Sequence, residues 1–86
     1  MGGCDPVTFN GVTSNVFNCM KKMLRDNGIS VPEGNSGHIS GHGVEGDFNW
    51  DGKTKLTIHI TDKPWYASCN AVKGKLSDFV HQCGGS

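Results

Sequence analysis

The chain has few large apolar side chains, and this limits its fold more than any other feature of the sequence. Leu, Ile, Val and Phe together account for 18 of the 86 residues. A chain of this length forms at most one domain, and its core is too small to be very stable without cross-links. Because the formal net charge is zero and the apolar residues recur periodically, we expect the chain to fold rather than remain disordered.

Four cysteines, Cys4, Cys19, Cys69 and Cys83, are available as cross-links. Four cysteines allow three pairings, and the spacing does not choose among them. No two of them form a Cys-x-x-Cys motif, which argues against a zinc ribbon or a thioredoxin-type site. Two disulfides and a set of buried free thiols therefore remain as alternatives, since unpaired cysteine is among the residues most often buried.

Two segments show the apolar period of an amphipathic helix. The first covers 14–27, with Thr13 or Ser14 as its N-cap and Gly28 just after its end. The second covers 68–83, with Ser68 as its N-cap. The apolar stripe of this second helix consists of Cys69, Val72, Leu76, Phe79, Val80 and Cys83. We therefore predict two helices, one in each half of the chain.

Between the helices, residues 44–61 alternate apolar and polar side chains, which predicts a β-hairpin. A three-residue loop over 50–52 puts the apolar residues of both strands on one face. The predicted cross-strand pairs are Val44 with Ile58, Gly46 with Leu56, and Phe48 with Thr54. A slip by one residue would expose three aliphatic side chains, at about 1.5–3 kcal/mol each, so this side-chain alternation should be well determined.

These elements predict an α+β fold, a small α-β-β-α domain over 1–86 with both helices packed on one face of an antiparallel hairpin. One or two further short strands are expected in 7–12 and 29–31, since a two-stranded hairpin alone is rarely stable. Residues 33–43 contain four glycines, which predicts a flexible Gly-rich loop or an irregular entry into a strand. The end of the chain, 84–86, is expected to fray.

Composition narrows the classes of function. Eight basic residues balance eight acidic ones, so bulk charge predicts neither nucleic acid nor an anionic membrane as a partner. No apolar run approaches the roughly 20 residues that span a bilayer. The N-terminus has no hydrophobic signal core, which is typical of a cytosolic or an already processed chain.

We therefore expect a small non-catalytic binding domain, without a cofactor, whose partner is another protein or a second copy of itself. The expected contact surface combines the 33–43 loop, the turn at Trp50 and the solvent face of the hairpin, and self-association would use an exposed strand edge. The candidate contact residues are His38, His42, Trp50, Trp65 and Tyr66. Trp65 and Tyr66 have a structural alternative, in which they cap the core where the chain enters the second helix.

Two alternatives involve chemistry. His38 and His42 are four residues apart and would bind zinc or copper if a further ligand joined them, although histidines in a loop are more often simply solvated. Cys69 is at the first turn of the second helix, where thiol pKa values fall, so it would be the nucleophile of a thiol enzyme with His42 or His59 as base. Cys69 also begins the apolar stripe, which favours a structural role for it.

Overall fold

The computed structural model describes residues 3–64 and 68–84. Within them the chain forms four strands and two helices in the order β1-α1-β2-β3-β4-α2. Their bounds are Val7–Phe9 for β1, Ser14–Asp26 for α1, Ser36–Gly41 for β2, Val44–Trp50 for β3, Leu56–Asp62 for β4 and Cys69–Gln82 for α2. This confirms the predicted α+β class with its two helices and its central hairpin.

Both helices begin at the predicted caps. The Thr13 side chain accepts a hydrogen bond from the Val16 N–H at 3.4 Å, and the Ser68 side chain accepts one from the Ala71 N–H at 3.0 Å. Gly28 follows the C-cap of α1 with φ of +83°, a conformation that favours glycine. Local capping signals were therefore sufficient to predict the ends of these helices.

The four strands form one antiparallel sheet in the order β1-β4-β3-β2. β1 confirms the strand expected in 7–12, whereas 29–31 contributes only an isolated bridge between Ser30 and Ser40. β2 lies inside 33–43, for which the glycines predict a flexible loop or an irregular entry into a strand. β1 and β2 thus extend the predicted hairpin to a sheet of four strands.

The glycines of β2 are explained by close packing rather than by turns. A Cβ on Gly37 would approach Pro32 Cγ to 2.5 Å, and a Cβ on Gly41 would approach the Gly28 carbonyl oxygen to 2.6 Å. A larger side chain at either position would push the preceding segment away from the strand. The glycine-rich composition that indicated a loop is therefore a requirement of a tightly covered strand.

The predicted register of the hairpin is wrong by four residues. The structure pairs Phe48 with Ile58, where the three-residue loop would have paired it with Thr54. Because side chains alternate with a period of two, an even shift leaves the same residues on the same face. Leu56, Ile58 and Ile60 are accordingly 2%, 2% and 4% exposed, which confirms the predicted inward face.

Asp51 explains the longer connection. Its Oδ1 accepts hydrogen bonds from the backbone N–H groups of Lys53, Thr54 and Lys55 at 2.8–3.0 Å, and the Asp51 N–H donates to the Lys55 carbonyl oxygen at 3.0 Å. These bonds satisfy the backbone of a five-residue loop, 51–55, that a three-residue loop would not contain. One carboxylate therefore determines the length of the loop and hence the register.

All four cysteines form disulfides. Cys4 pairs with Cys69, which joins the segment before β1 to the start of α2, and Cys19 pairs with Cys83, which joins the middle of α1 to the end of α2. A small core benefits most from such cross-links, because they restrict the unfolded chain. Of the two alternatives that the sequence left open, two disulfides are therefore correct and buried free thiols are wrong.

The core contains one partly desolvated cation. Lys21 on α1 is only 8% exposed, and its Nζ donates to the Gly34 carbonyl oxygen. The same atom lies 4.5 Å from the ring centroid of Phe17 and 5.5 Å from that of Phe48. Burial lowers the pKa of Lys21, and the ring contacts offset part of the cost of desolvating its charge. Lys21 thereby ties α1 to the segment that enters β2.

Candidate functional site

Both helices pack against the apolar face of the sheet, and no described element covers the other face. Strand residues alternate, so this second face carries the polar side chains. We call it the polar face: Thr8 on β1, Ser36, His38 and Ser40 on β2, Glu45, Asp47 and Asn49 on β3, and Thr57, His59 and Thr61 on β4. It contains two carboxylates, two histidines and no Lys or Arg among these residues.

His38 lies between the two carboxylates of the polar face. Its Nδ1 is 3.3 Å from Oδ1 of Asp47, and its Nε2 is 3.3 Å from Oε1 of Glu45. The hydrogen bond to Asp47, followed by the one to Glu45, raises the pKa of His38 above its ordinary value because each favours the protonated ring. About half of each side chain is exposed, so solvent and a partner can reach all three.

Cross-strand pairing assembles this group. The β2–β3 ladder pairs His38 with Asp47, and the β3–β4 ladder pairs Asp47 with His59. The predicted hairpin register puts Lys55 opposite Asp47, and the loop predicted over 33–43 gives His38 no strand partner, so neither of these cross-strand pairs is predicted. The His38–Asp47 pair depends on the two-residue turn between β2 and β3, and the Asp47–His59 pair depends on the Asp51 loop between β3 and β4. We call His38, Glu45, Asp47 and His59 the His38 cluster.

His42 does not belong to this cluster. It forms the two-residue turn between β2 and β3 with Gly43, and both residues have positive φ, +53° and +79°, as in a type I′ turn. The His42 Nε2 lies 2.5 Å from the Asn27 carbonyl oxygen, so the ring holds the turn against the end of α1. His42 thus contacts the end of α1 rather than the carboxylates of the His38 cluster, and its side chain is exposed.

The metal-binding alternative is not supported by this geometry. His38 contacts carboxylates on the polar face, whereas His42 contacts α1. Within 3–64 and 68–84, no group of three His, Cys, Asp or Glu residues is arranged to hold a metal ion. The prediction assumed that 38–42 is extended throughout, and the turn at His42 breaks that assumption.

Trp50 is half-buried and packs against the core. Its ring stacks on Phe17 with centroids 4.6 Å apart and planes at 21°, and its Nε1 donates to the Val12 carbonyl oxygen at 2.8 Å. Half-burial of the indole thus serves packing of β3 against α1. The other two aromatic candidates, Trp65 and Tyr66, lie outside the described residues.

Cys69 has no free thiol, because it is bonded to Cys4. A nucleophilic thiolate is excluded while this disulfide is intact, so the thiol-enzyme alternative is wrong for the folded, oxidised chain. The cysteine occupies the predicted helix start, and its structural role is the one that its place on the apolar stripe favoured.

Neither helix within the described ranges is long and apolar enough to cross a membrane. Comparison with known protein families, with characterised proteins and with solved structures finds no match to this chain.

Proposed function

We propose that this chain is a non-catalytic binding domain that contacts a basic segment of a protein partner through its polar face. The observation that carries the proposal is the pair of exposed carboxylates, Glu45 and Asp47, on a sheet face that no described element covers. The ten residues that define the polar face include no Lys or Arg that would neutralise them. A Lys or Arg from a partner would supply that charge.

The chemistry of the cluster favours a cationic ligand when His38 is neutral. Glu45 and Asp47 then carry two negative charges with no permanent positive charge between them, and both are within reach of a partner side chain. Charge-assisted hydrogen bonds from Lys or Arg to such carboxylates are the stronger kind. Exposed ion pairs are worth under about 1 kcal/mol each, so the cluster contributes orientation and speed of association more than affinity.

The scaffold suits this role because the binding groups are on strands rather than on a loop. β2, β3 and β4 are held in register by their ladders and by the core beneath them. Side chains fixed in this way lose little freedom on binding, which favours affinity. Two disulfides are typical of chains that fold in an oxidising compartment, and we expect the partner to be met there.

The test is an NMR titration with two short matched peptides, one of lysine and serine and one of glutamate and serine. We expect the lysine peptide to shift amide signals of β2, β3 and β4 around the His38 cluster. The double variant Glu45→Gln/Asp47→Asn should weaken this binding about tenfold, the size expected for two exposed ion pairs. The glutamate peptide should have no effect on these signals.

Glu33→Gln is the matched control, because the Glu33 carboxylate is exposed and contacts Arg25 at 3.7 Å rather than His38. It should bind the lysine peptide as the wild type does. Equal weakening in the control and the double variant, or shifts spread over the helices, would contradict the proposed site.

A second candidate is self-association through the edge of β2. Ser40 uses its outward N–H and C=O to pair with Ser30, so the same groups of His38, two residues earlier, also point to the outer edge of the sheet. Apart from the single bridge at Ser30, no described strand pairs with this outer edge of β2. Sedimentation velocity at rising concentration should then show a dimer for wild type and for His38→Asn, but not for His38→Pro, which lacks the N–H. A monomer at every concentration would exclude this candidate.

A further inference from the structure

An apolar groove of about 310 Å³ opens beside the first turns of α2. Its floor includes Leu24 of α1, Ile60 of β4 and Phe79 of α2, and its mouth includes Val44, Val72 and Lys75. The groove lies on the helix side of the sheet and is thus separate from the polar face. Its volume is at the lower end of the range for small-molecule sites.

The groove exists because α2 extends further from the Cys19–Cys83 disulfide than α1 does. The Cys19–Cys83 disulfide holds the end of α2 beside the middle of α1. From Cys19, α1 continues for seven residues to Asp26, about 10 Å, whereas the 14 residues of α2 extend about 21 Å from Cys83 back to Cys69. About two turns of α2 therefore have no helix beside them. Val72 belongs to the apolar stripe but is only half-buried for this reason.

The lining of the groove is apolar apart from one cationic side chain. Among the described residues that line the groove, Lys75 is the only charged one. Its Nζ lies 5.7 Å from the ring centroid of Phe79, which places the ammonium group above the apolar floor. A sugar or a nucleotide would leave its polar groups unpaired there. An apolar tail with one anionic end would match both the lining and the cation.

We infer that this groove binds a monoanionic amphiphile, a medium-chain carboxylate, with its hydrocarbon tail among Leu24, Ile60 and Phe79 and its carboxylate at Lys75. The tail replaces water at an apolar surface, and each methylene that becomes buried should tighten binding about fourfold. The carboxylate accepts a charge-assisted hydrogen bond from the ammonium group. This inference does not depend on the proposed role of the polar face.

The experiment is a calorimetric and NMR titration of the full disulfide-bonded chain with hexanoate, octanoate and decanoate, below their micelle concentrations. We expect affinity to rise about sixteenfold for each pair of methylenes until the groove is full. Amide shifts should be confined to α2 and to the neighbourhood of Leu24, Ile29, Val44 and Ile60. Octyltrimethylammonium, with a similar tail and the opposite charge, should bind at least tenfold more weakly than octanoate.

Substitutions at Lys75 and Val72 separate the contribution of the cation to binding from that of the apolar groove. Lys75→Gln should weaken octanoate binding and leave octanol binding unchanged, whereas Lys73→Gln, which alters a lysine of α2 outside the groove lining, should change neither. Val72→Phe should fill the mouth and weaken both ligands, with a folded spectrum as its control. The inference is overturned if chain length has no effect, if octanoate and octyltrimethylammonium bind equally, or if the two lysine variants behave alike.

Discussion

Asp47 lies opposite His38 across the β2–β3 ladder, with its Oδ1 3.3 Å from Nδ1 of the histidine ring. Glu45 reaches the other ring nitrogen at the same distance. Both nitrogens of one imidazole therefore face a carboxylate, and protonation of that ring is favoured from two sides. The charge that the polar face presents to a partner consequently changes within the range where histidine titrates.

The pKa of His38 should lie above the ordinary value of 6.5 when it is measured by NMR from the ring proton shifts. Glu45→Gln/Asp47→Asn should return it to that value, because the amides no longer favour the charged ring. Glu33→Gln should leave it raised. A wild-type His38 pKa that is not raised above 6.5 would show that the two contacts are not maintained in solution.

The same shift predicts the direction of a pH effect on stability. Because the pKa of His38 is raised in the folded state, the contribution of His38 to the free energy of unfolding is fully present below its unfolded-state pKa. That contribution is lost as the pH rises through the folded-state pKa. The difference in melting temperature between wild type and His38→Gln should therefore shrink as the pH rises from acid to slightly alkaline values. A difference that grows over this interval would contradict the assignment.

The contribution of Asp51 to stability should depend on pH in the opposite direction. Hydrogen bonds from the Lys55 and Lys53 backbones, then that of Thr54, lower the pKa of its carboxyl group. The resulting stability is present above the unfolded pKa of about 3.8 and is lost as the pH falls through the folded pKa. Asp51→Ala should be less stable than wild type at neutral pH, and Asp51→Asn, which keeps an acceptor oxygen, should lose less. In urea unfolding, the free energy of unfolding of both variants should change less than that of the wild type as the pH falls.

Removal of the Cys19–Cys83 disulfide should be strongly destabilising. The bond spans 64 residues, and the loop-closure model gives about 4 kcal/mol for a loop of that length. Cys19→Ala/Cys83→Ala should lower the free energy of unfolding by that order, as measured by urea denaturation monitored by circular dichroism. Cys19→Ser/Cys83→Ser is the control for the volume and polarity of the replacement. An effect below about 1 kcal/mol in both variants would refute an entropic role for the bond.

Phe17→Ala should test the aromatic centre of the core. Phe17 is buried, stacks on Trp50 and lies under the ammonium group of Lys21, so truncation removes both ring contacts as well as buried apolar volume. The expected loss is about 3–5 kcal/mol, together with a changed near-ultraviolet signal from the indole. Phe17→Leu should cost less because it leaves a smaller cavity. Equal stabilities of the two variants would show that the volume of the cavity does not determine the loss.

Local patterns were sufficient for the two helices and the central hairpin but not for the register of the hairpin. The caps at Thr13 and Ser68 and the alternation of Leu56, Ile58 and Ile60 each act within a few residues, and the structure confirms them. Register depends on how many residues the loop holds, and a shift by an even number preserves every inward and outward assignment. Side-chain hydrogen bonds of Asp51 determine that number, and hydrophobic periodicity does not report them.

The candidate site was harder to predict than the fold because it depends on the pairing of β2 with β3 as well as on the register of the hairpin. His38 was identified from the sequence, but Asp47 becomes its cross-strand partner only because β2 is a strand, and His59 becomes the partner of Asp47 only in the correct hairpin register. β2 was missed for a related reason: Gly37 and Gly41 indicate a loop by composition, although close contacts with Pro32 and Gly28 are what require them. Such long-range contacts leave no local signal in the sequence.

The two disulfides interleave along the chain, since Cys19 lies between Cys4 and Cys69, and Cys69 lies between Cys19 and Cys83. Any single peptide bond broken between Cys4 and Cys83 therefore leaves two fragments that are still covalently joined. A break between Cys19 and Cys69 leaves them joined twice. A protease that nicks one surface loop would thus produce a two-chain molecule with its fragments held side by side, and loss of either fragment would require reduction as well as cleavage.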